Sequence, residues 1–192
     1  MLAPEGLCPY HSSHMRIGLI ADTHVPEAGP ELPAQVYRAL QNVDLILHGG
    51  DMHIIDVLDW LEDIAPVLGA RGNGDYPTPS NKNRPGVPED PRVRHARIFQ
   101  AEGLRLGLIH GFPLPHEIPY RTQDEVLGLH FDSAVDVVVC GDTHEARIDR
   151  YPGLLVVNPG SPTLPNQIRG LGTVGFLEIR GFDVDASILQ LT

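Results

Sequence analysis

Short aliphatic runs recur along this chain, and each stops at a cluster of carboxylate, amide or imidazole side chains, most of them flanked by glycine. Residues 17–21, 43–47, 66–70, 104–109 and 135–140 are five or six positions long and almost wholly apolar. Runs of that length bounded by glycine predict strands buried on both faces. Between the early runs, the apolar positions change period. Leu32, Val36, Ala39 and Leu40 recur at helical spacing over 31–41, as do Ile54, Val57, Leu58, Leu61 and Ala65 over 54–65, which predicts two amphipathic helices. A third helix is predicted over 122–131, opened by Thr122 with Glu125 three residues on, a capping box. Strand alternating with helix predicts a largely parallel sheet.

Elsewhere the pattern predicts hairpins. Segments 92–101 and 104–109 meet at Glu102-Gly103, 146–151 and 154–158 at Pro152-Gly153, and 174–180 and 185–191 near Gly181-Phe182. The chain therefore reads as an α/β layered domain whose second sheet is mixed or antiparallel. Segment 76–91, carrying Pro77, Pro79, Pro85, Pro88 and Pro91, is expected as a surface loop, either a functional lid or a plain excursion. With no repeat or linker, residues 15–192 are expected as one domain, preceded by a loosely ordered, flexible extension over 1–14.

A chain of 192 residues buries roughly 70% of the surface exposed when unfolded, enough for a core without staples. Its formal charge is −11, with Lys82 the sole lysine and thirteen scattered arginines; stable binding to duplex nucleic acid, which needs a basic stripe, is not expected. Phosphate chemistry is not excluded, because bound cations dominate a local field. Cys8 and Cys140 make no disulfide framework and fit a reducing, cytoplasmic location. No run approaches the roughly 20 residues of a membrane span, so no membrane is expected.

The chemistry gathers where the strands end. The five runs lead into Asp22-Thr23-His24, into His48-Gly49-Gly50-Asp51, into Gly72-Asn73-Gly74-Asp75, into His110-Gly111 and into Gly141-Asp142-Thr143-His144. In α/β sheets, ligands bind beyond the carboxyl ends of strands, so convergence on one metal site is expected. Asp22 and His24, two apart, can leave one face of an extended backbone. Asp51 could bridge two cations, Asn73 offers a neutral amide oxygen, and His110, Asp142 and His144 complete the donors. Mixed nitrogen and oxygen ligation suits Mn²⁺, Fe, Ni²⁺ or Zn²⁺ rather than Ca²⁺ or Mg²⁺. Two cations roughly 4 Å apart would bring water to a pKa of about 7 and supply hydroxide to attack phosphorus. His53, His95, His116 and His130 are expected as surface or helix-face residues, and His11 and His14 as part of a mobile tail. Asp75 is expected to cap its turn or support a ligand. Phe112, Tyr120 and Arg121 are candidate substrate contacts or simple packing.

These motifs, in this order, resemble the set found in calcineurin-like metallophosphoesterases. Asn158-Pro159-Gly160-Ser161-Pro162 is similar to a turn of the small stand-alone YfcE-type phosphodiesterases, where its backbone would line the site. The resemblance implies a layered β-sandwich of two mixed sheets flanked by helices, with two divalent metal ions, Mn²⁺ foremost. Carried over by position, Asp22, His24 and His144 would hold metal one, Asp51 would bridge, and Asn73 and His110 would hold metal two. His48 stays outside the ligand set. The family's further metal-two histidine is Asp142 here, which should favour Mn²⁺ or Fe; Gly74 stands where larger members carry a leaving-group histidine. The activity implied is metal-dependent phosphodiester hydrolysis by a metal-bridging hydroxide, with Asp51, Asn73 and His110 at the reaction. The substrate implied is a small phosphate ester, and similar proteins are often homo-oligomers. A non-catalytic scaffold with a degenerate metal site, like the retromer subunit related to this family, is the alternative. Neither dinucleotide-binding nor P-loop glycine spacing is present.

Overall fold

Alternation within the strands decides the layering. The computed structural model describes residues 14–113, 121–131 and 134–192. Its elements are β1 (His14–Ile20), α1 (Ala34–Ala39), β2 (Leu45–His48), α2 (Asp56–Glu62), β3 (Val67–Ala70), β4 (Val93–Arg94), β5 (Ala96–Ala101), β6 (Leu104–Ile109), α3 (Gln123–His130), β7 (Val137–Val139), β8 (Ala146–Tyr151), β9 (Leu154–Pro159), β10 (Thr173–Arg180) and β11 (Asp183–Gln190). One sheet has the order β11-β10-β1-β2-β3-β4 and the other β5-β6-β7-β9-β8. Both are mixed: β1 to β4 run parallel, as do β6, β7 and β9, while β10, β11, β5 and β8 join antiparallel.

Odd and even positions feed different layers. Ile17, Leu19, Leu47, Leu106, Leu108, Val137, Val139, Leu155 and Val157 fill the space between the sheets. Their neighbours Ile20 and Ile46 pack outward with Val36, Leu40, Val57, Leu58 and Leu61 of the first two helices. Val138 and Val156 pack outward on the other side with Val126 and Phe131. The expected β-sandwich with helices on its outer faces is the fold observed. The capping box forms as read: Glu125 N–H donates to Thr122 Oγ1 at 3.2 Å, and Thr122 N–H to Glu125 Oε2 at 2.7 Å.

Two expectations are corrected. His14, expected in a flexible tail, opens β1 and pairs with Arg180 of β10; the rest of the expected extension, residues 1–13, lies outside the described residues. The strand read over 92–101 is broken at His95: Val93–Arg94 pairs parallel with β3, and Ala96–Ala101 pairs antiparallel with β6 in the other sheet. Val93 belongs to the helix-side core and Ala101 to the inter-sheet core, so the two halves must serve different layers. Cys140 is the small buried residue expected, its thiol pushed by burial up to about 12. Cys8, His11, His116 and Tyr120 lie outside the described residues.

Because Leu47 is fully buried between the sheets, Leu47→Ala should cost about 3 kcal/mol. That is a fall of roughly 6–12 °C in melting temperature for a chain of this size. Leu189→Ala, at a side chain 43% exposed, should stay within about 0.5 kcal/mol; thermal unfolding of both variants checks the contrast.

Candidate metal centre

Three Asp-x-His turns follow three parallel strands: Asp22-Thr23-His24 after β1, Asp51-Met52-His53 after β2 and Asp142-Thr143-His144 after β7. All six Asp and His residues have positive φ, from 48° at His24 to 75° at Asp142. The extended backbone expected at Asp22 and His24 is therefore replaced by a left-handed turn. A non-glycine residue there costs on the order of 1–3 kcal/mol and persists only where its surroundings over-determine it.

The surroundings do so with hydrogen bonds. Asp22 N–H donates to Gly50 O at 2.9 Å and His24 N–H to Asp51 O at 3.0 Å, locking the first two turns together. The buried Asp75 carboxylate accepts the amides of Asp51 (3.0 Å), Met52 (2.8 Å), His53 (2.8 Å) and Gly72 (2.8 Å). This is the supporting role expected of it. From β9, Asn158 donates to Gly141 O at 2.7 Å, and Ser161 Oγ donates to Asp22 O at 2.7 Å. The 158–162 turn thus acts through its side chains, where the backbone was expected to line the site.

The structure brings the expected residues together. Donor atoms of Asp22, His24 and His144 lie within 4.8 Å of one another, as do those of Asp22, Asp51 and His110, and all these residues are buried. His110 Nε2 stands 3.2 Å from Asn73 Oδ1, 3.4 Å from Asp51 Oδ1 and 3.5 Å from Asp142 Oδ1, while Nδ1 is 2.7 Å from Gly49 O. Asn73 and Asp142 sit at the rim; the Asp142 side chain is 52% exposed. His48, outside the expected set, has both ring nitrogens engaged, by Thr23 Oγ1 and Gly50 N–H, each at 3.1 Å.

A third triplet was not expected: His24, Asp51 and His53 also present donors within 4.8 Å. His53, read from sequence as a surface residue, is fully buried. The signal was present, since Asp51 and His53 repeat the spacing of Asp22-His24 and Asp142-His144. Among the described residues, Asp22 Oδ2, His24 Nε2 and both ring nitrogens of His53 are buried without a hydrogen-bond partner. Buried polar atoms left unpaired are costly, so this cluster has the donor set and the unmet demand of a cation site.

Electrostatics agree. Burial, opposed by His110 and reinforced by Asp51, drives Asp22 well above the ordinary carboxylate range. Burial, with His53 and His144 beside it, lowers His24 to about 3, leaving the neutral imidazole that ligates metals. His110 goes the other way: burial alone would lower it, but Asp142, Asp22 and Asp51 outweigh that and raise it to about 10.

Beside the cluster opens a cleft of about 510 Å³, lined by Asn73, His110 and Asp142 together with Arg71, His95 and Arg121. His95, exposed, and His130, on α3, are the surface and helix-face residues expected, and they face each other there with ring centroids 4.9 Å apart. The 76–91 segment is tied to the body: Arg71 donates to Val87 O at 2.6 Å and Pro88 O at 2.9 Å, and Val87 N–H donates to Asp75 O.

Two outcomes follow for the metal-free protein. A carboxyl whose pKa is raised by folding contributes full stability below the unfolded value near 4 and loses it as pH climbs. Asp22→Asn should therefore unfold roughly 2–4 °C higher than wild type at neutral pH in chelator, about 1 kcal/mol. The gain should vanish toward pH 4, as thermal melts across that range would read. Asp75→Ala leaves four buried amides unpaired and should cost on the order of 3–5 kcal/mol, measured by denaturant unfolding.

Comparison with known proteins fits this geometry. A profile described as the calcineurin-like phosphoesterase superfamily domain matches residues 15–181. A probable metallophosphoesterase of Methanothermobacter thermautotrophicus is 36% identical, over 92% of each chain. A phosphodiesterase of Methanocaldococcus jannaschii is 25% identical, over 85% of this chain and 93% of its own. The structure of Vacuolar Protein Sorting 29 from Cryptosporidium parvum superposes with a TM-score of 0.71 at 20% identity, over 93% of this chain and 92% of that one, a likeness of fold. With a matching profile over most of its length and a relative 36% identical over 92% of it, the chain belongs to the calcineurin-like phosphoesterase superfamily.

Proposed function

We propose that this protein is a divalent-metal-dependent phosphodiesterase with a dinuclear centre. What supports the reading most is the interlocked set of buried donor triplets, with unpartnered carboxylate and imidazole atoms, opening on a cleft of about 510 Å³. Asp22, His24 and His144 would hold metal one, Asn73, His110 and Asp142 metal two, and Asp51 would bridge. The donors suit Mn²⁺ or Fe, then Ni²⁺ or Zn²⁺. Such cations, when bound, acidify water to a pKa of about 7 and neutralise charge on a phosphoryl group.

The chain's own residues supply the rest. Gly49 O accepts from Nδ1 of His110, which fixes the ring so that Nε2 faces Asn73, Asp51 and Asp142. Asn73, an uncharged donor at the rim, adds no repulsion toward an anionic ester. Arg121 also lines the cleft, a positive charge for an ester oxygen in a chain whose formal charge is −11, whereas Arg71 is committed to the Val87 and Pro88 carbonyls. No histidine occupies Gly74, so a good leaving group is favoured. Arg121 and the facing His95 and His130 are the cleft residues that would select the substrate.

One observation favours a second reading, a partner-binding scaffold: Asp142 stands, largely exposed, where the family's further histidine ligand is expected.

Turnover of a chromogenic phosphodiester, bis-p-nitrophenyl phosphate, should require added Mn²⁺ and stop with chelator. Asp51→Asn, which removes the bridging charge, should lower kcat/KM at least about 100-fold, near 3 kcal/mol. Asp142→His should raise second-metal affinity and keep or increase turnover. Absence of metal-dependent hydrolysis in wild type and Asp142→His alike would point to the scaffold.

A further inference from the structure

We infer that His53 is a metal ligand, joining His24, Asp51, Asp22 and His144 round metal one, so that the centre has one nitrogen-rich and one oxygen-rich site. The inference rests on the metal assignment proposed above and extends it by a residue.

Four observations support it. His53 is fully buried, yet neither ring nitrogen has a hydrogen-bond partner. A buried imidazole serving only the core engages its nitrogens, as His48 does five residues earlier at the end of β2. Its donor atom lies within 4.8 Å of those of His24 and Asp51, and its ring sits edge-on to His24 at 4.4 Å, beside the His24–His144 pair at 4.8 Å. The backbone at His53 adopts the same left-handed conformation, φ 71°, as at His24 and His144, held by the Asp75 carboxylate. Finally, a Cβ on Gly74 would stand 2.6 Å from His53 Nε2 and 3.1 Å from Asp51 Cγ. Glycine there leaves the ring beside the Asp51 carboxylate undisturbed.

The chemistry differs between the two sites as a result. Metal one would meet three imidazoles and two carboxylates, a set for Zn²⁺, Fe, Co²⁺ or Ni²⁺. Metal two would meet one imidazole, one amide and two carboxylates, with Asp142 in place of a nitrogen, a set nearer to Mn²⁺ or Fe. Nitrogen absent at position 142 reappears at position 53, on the other side of the bridge. Glu27 Oε2, 3.6 Å from His53 Nδ1 and 3.8 Å from His24 Nδ1, stands behind the pair and is itself held by Arg84 at 2.9 Å.

The test titrates metal-free wild type and His53→Gln with Co²⁺ and Zn²⁺, by calorimetry and visible absorption. Wild type should show two unequal phases. His53→Gln should weaken the tight phase at least about 30-fold, shift its cobalt absorption and leave the weak phase within threefold. A tight phase within threefold of wild type, with a superposable cobalt spectrum, would overturn the inference and leave the hydrolase reading intact. Phosphodiester turnover of wild type is measured in parallel: loss of the tight phase in the variant without hydrolysis by wild type would uphold the ligand and sink the enzyme. Wild type that binds neither ion would overturn both. Melting of the metal-free variant shows whether it is folded. If it is not, ¹⁵N resonances of the wild-type histidine rings with and without Zn²⁺ answer the same question: a His53 nitrogen moves to the metal-bound position, or it stays free and the inference fails.

Discussion

Everything at this centre leans on one buried carboxylate. Asp75 gathers four amides, three of them from the Asp51–His53 turn and one from Gly72. A left-handed turn points successive N–H groups to one side, and such groups buried without acceptors would unravel it. Burial pushes Asp75 above its ordinary range, so the anchor itself carries a cost, offset by the four donors. The turn so held presents Asp51 to both candidate cation positions, and Gly74 N–H donates to Asp51 Oδ1 at 2.7 Å to orient it.

The neighbouring turns are held by the same logic with different groups. Ser161 and Thr163 cap the carbonyls of Asp22 and Thr23, at 2.7 and 2.9 Å, and Asn158 does so for Gly141. Three strained turns, each secured from the strand or loop next to it, place carboxylates and neutral imidazoles within a few ångströms. Without cations the arrangement is unfavourable: a carboxyl is forced upward in pKa, and several buried nitrogens have nothing to bind. The site spends stability that the three packed layers of aliphatic side chains provide, as functional sites commonly do.

The distribution of donors carries the functional meaning. Imidazoles crowd the Asp22 side, and oxygen donors crowd the cleft side. On the proposed assignment, a phosphate ester in the cleft would meet the oxygen-rich cation, beside the exposed Asp142.

Much of this was legible in the residues themselves. The run lengths and periods determined the strands, the helices and the parallel order, because burial on one or both faces leaves a period that sequence displays directly. Motif spacing placed Asp22, His24, Asp51, Asn73, His110, Asp142 and His144 at strand ends, since a strand's carboxyl end is set by where its apolar run stops. Three things were decided only in the folded molecule. The strand over 92–101 divides at His95 because its two halves face different cores, and no local pattern separates those cores. The 158–162 turn works through side chains reaching Asp22 and Gly141 across more than a hundred residues, or from a neighbouring strand. And His53, in a stretch that reads as the start of a helix, is turned inward by a carboxylate 22 residues away. Periodicity records which face of an element is buried; it holds no information on backbone strain imposed from another loop, and that strain aims the last imidazole.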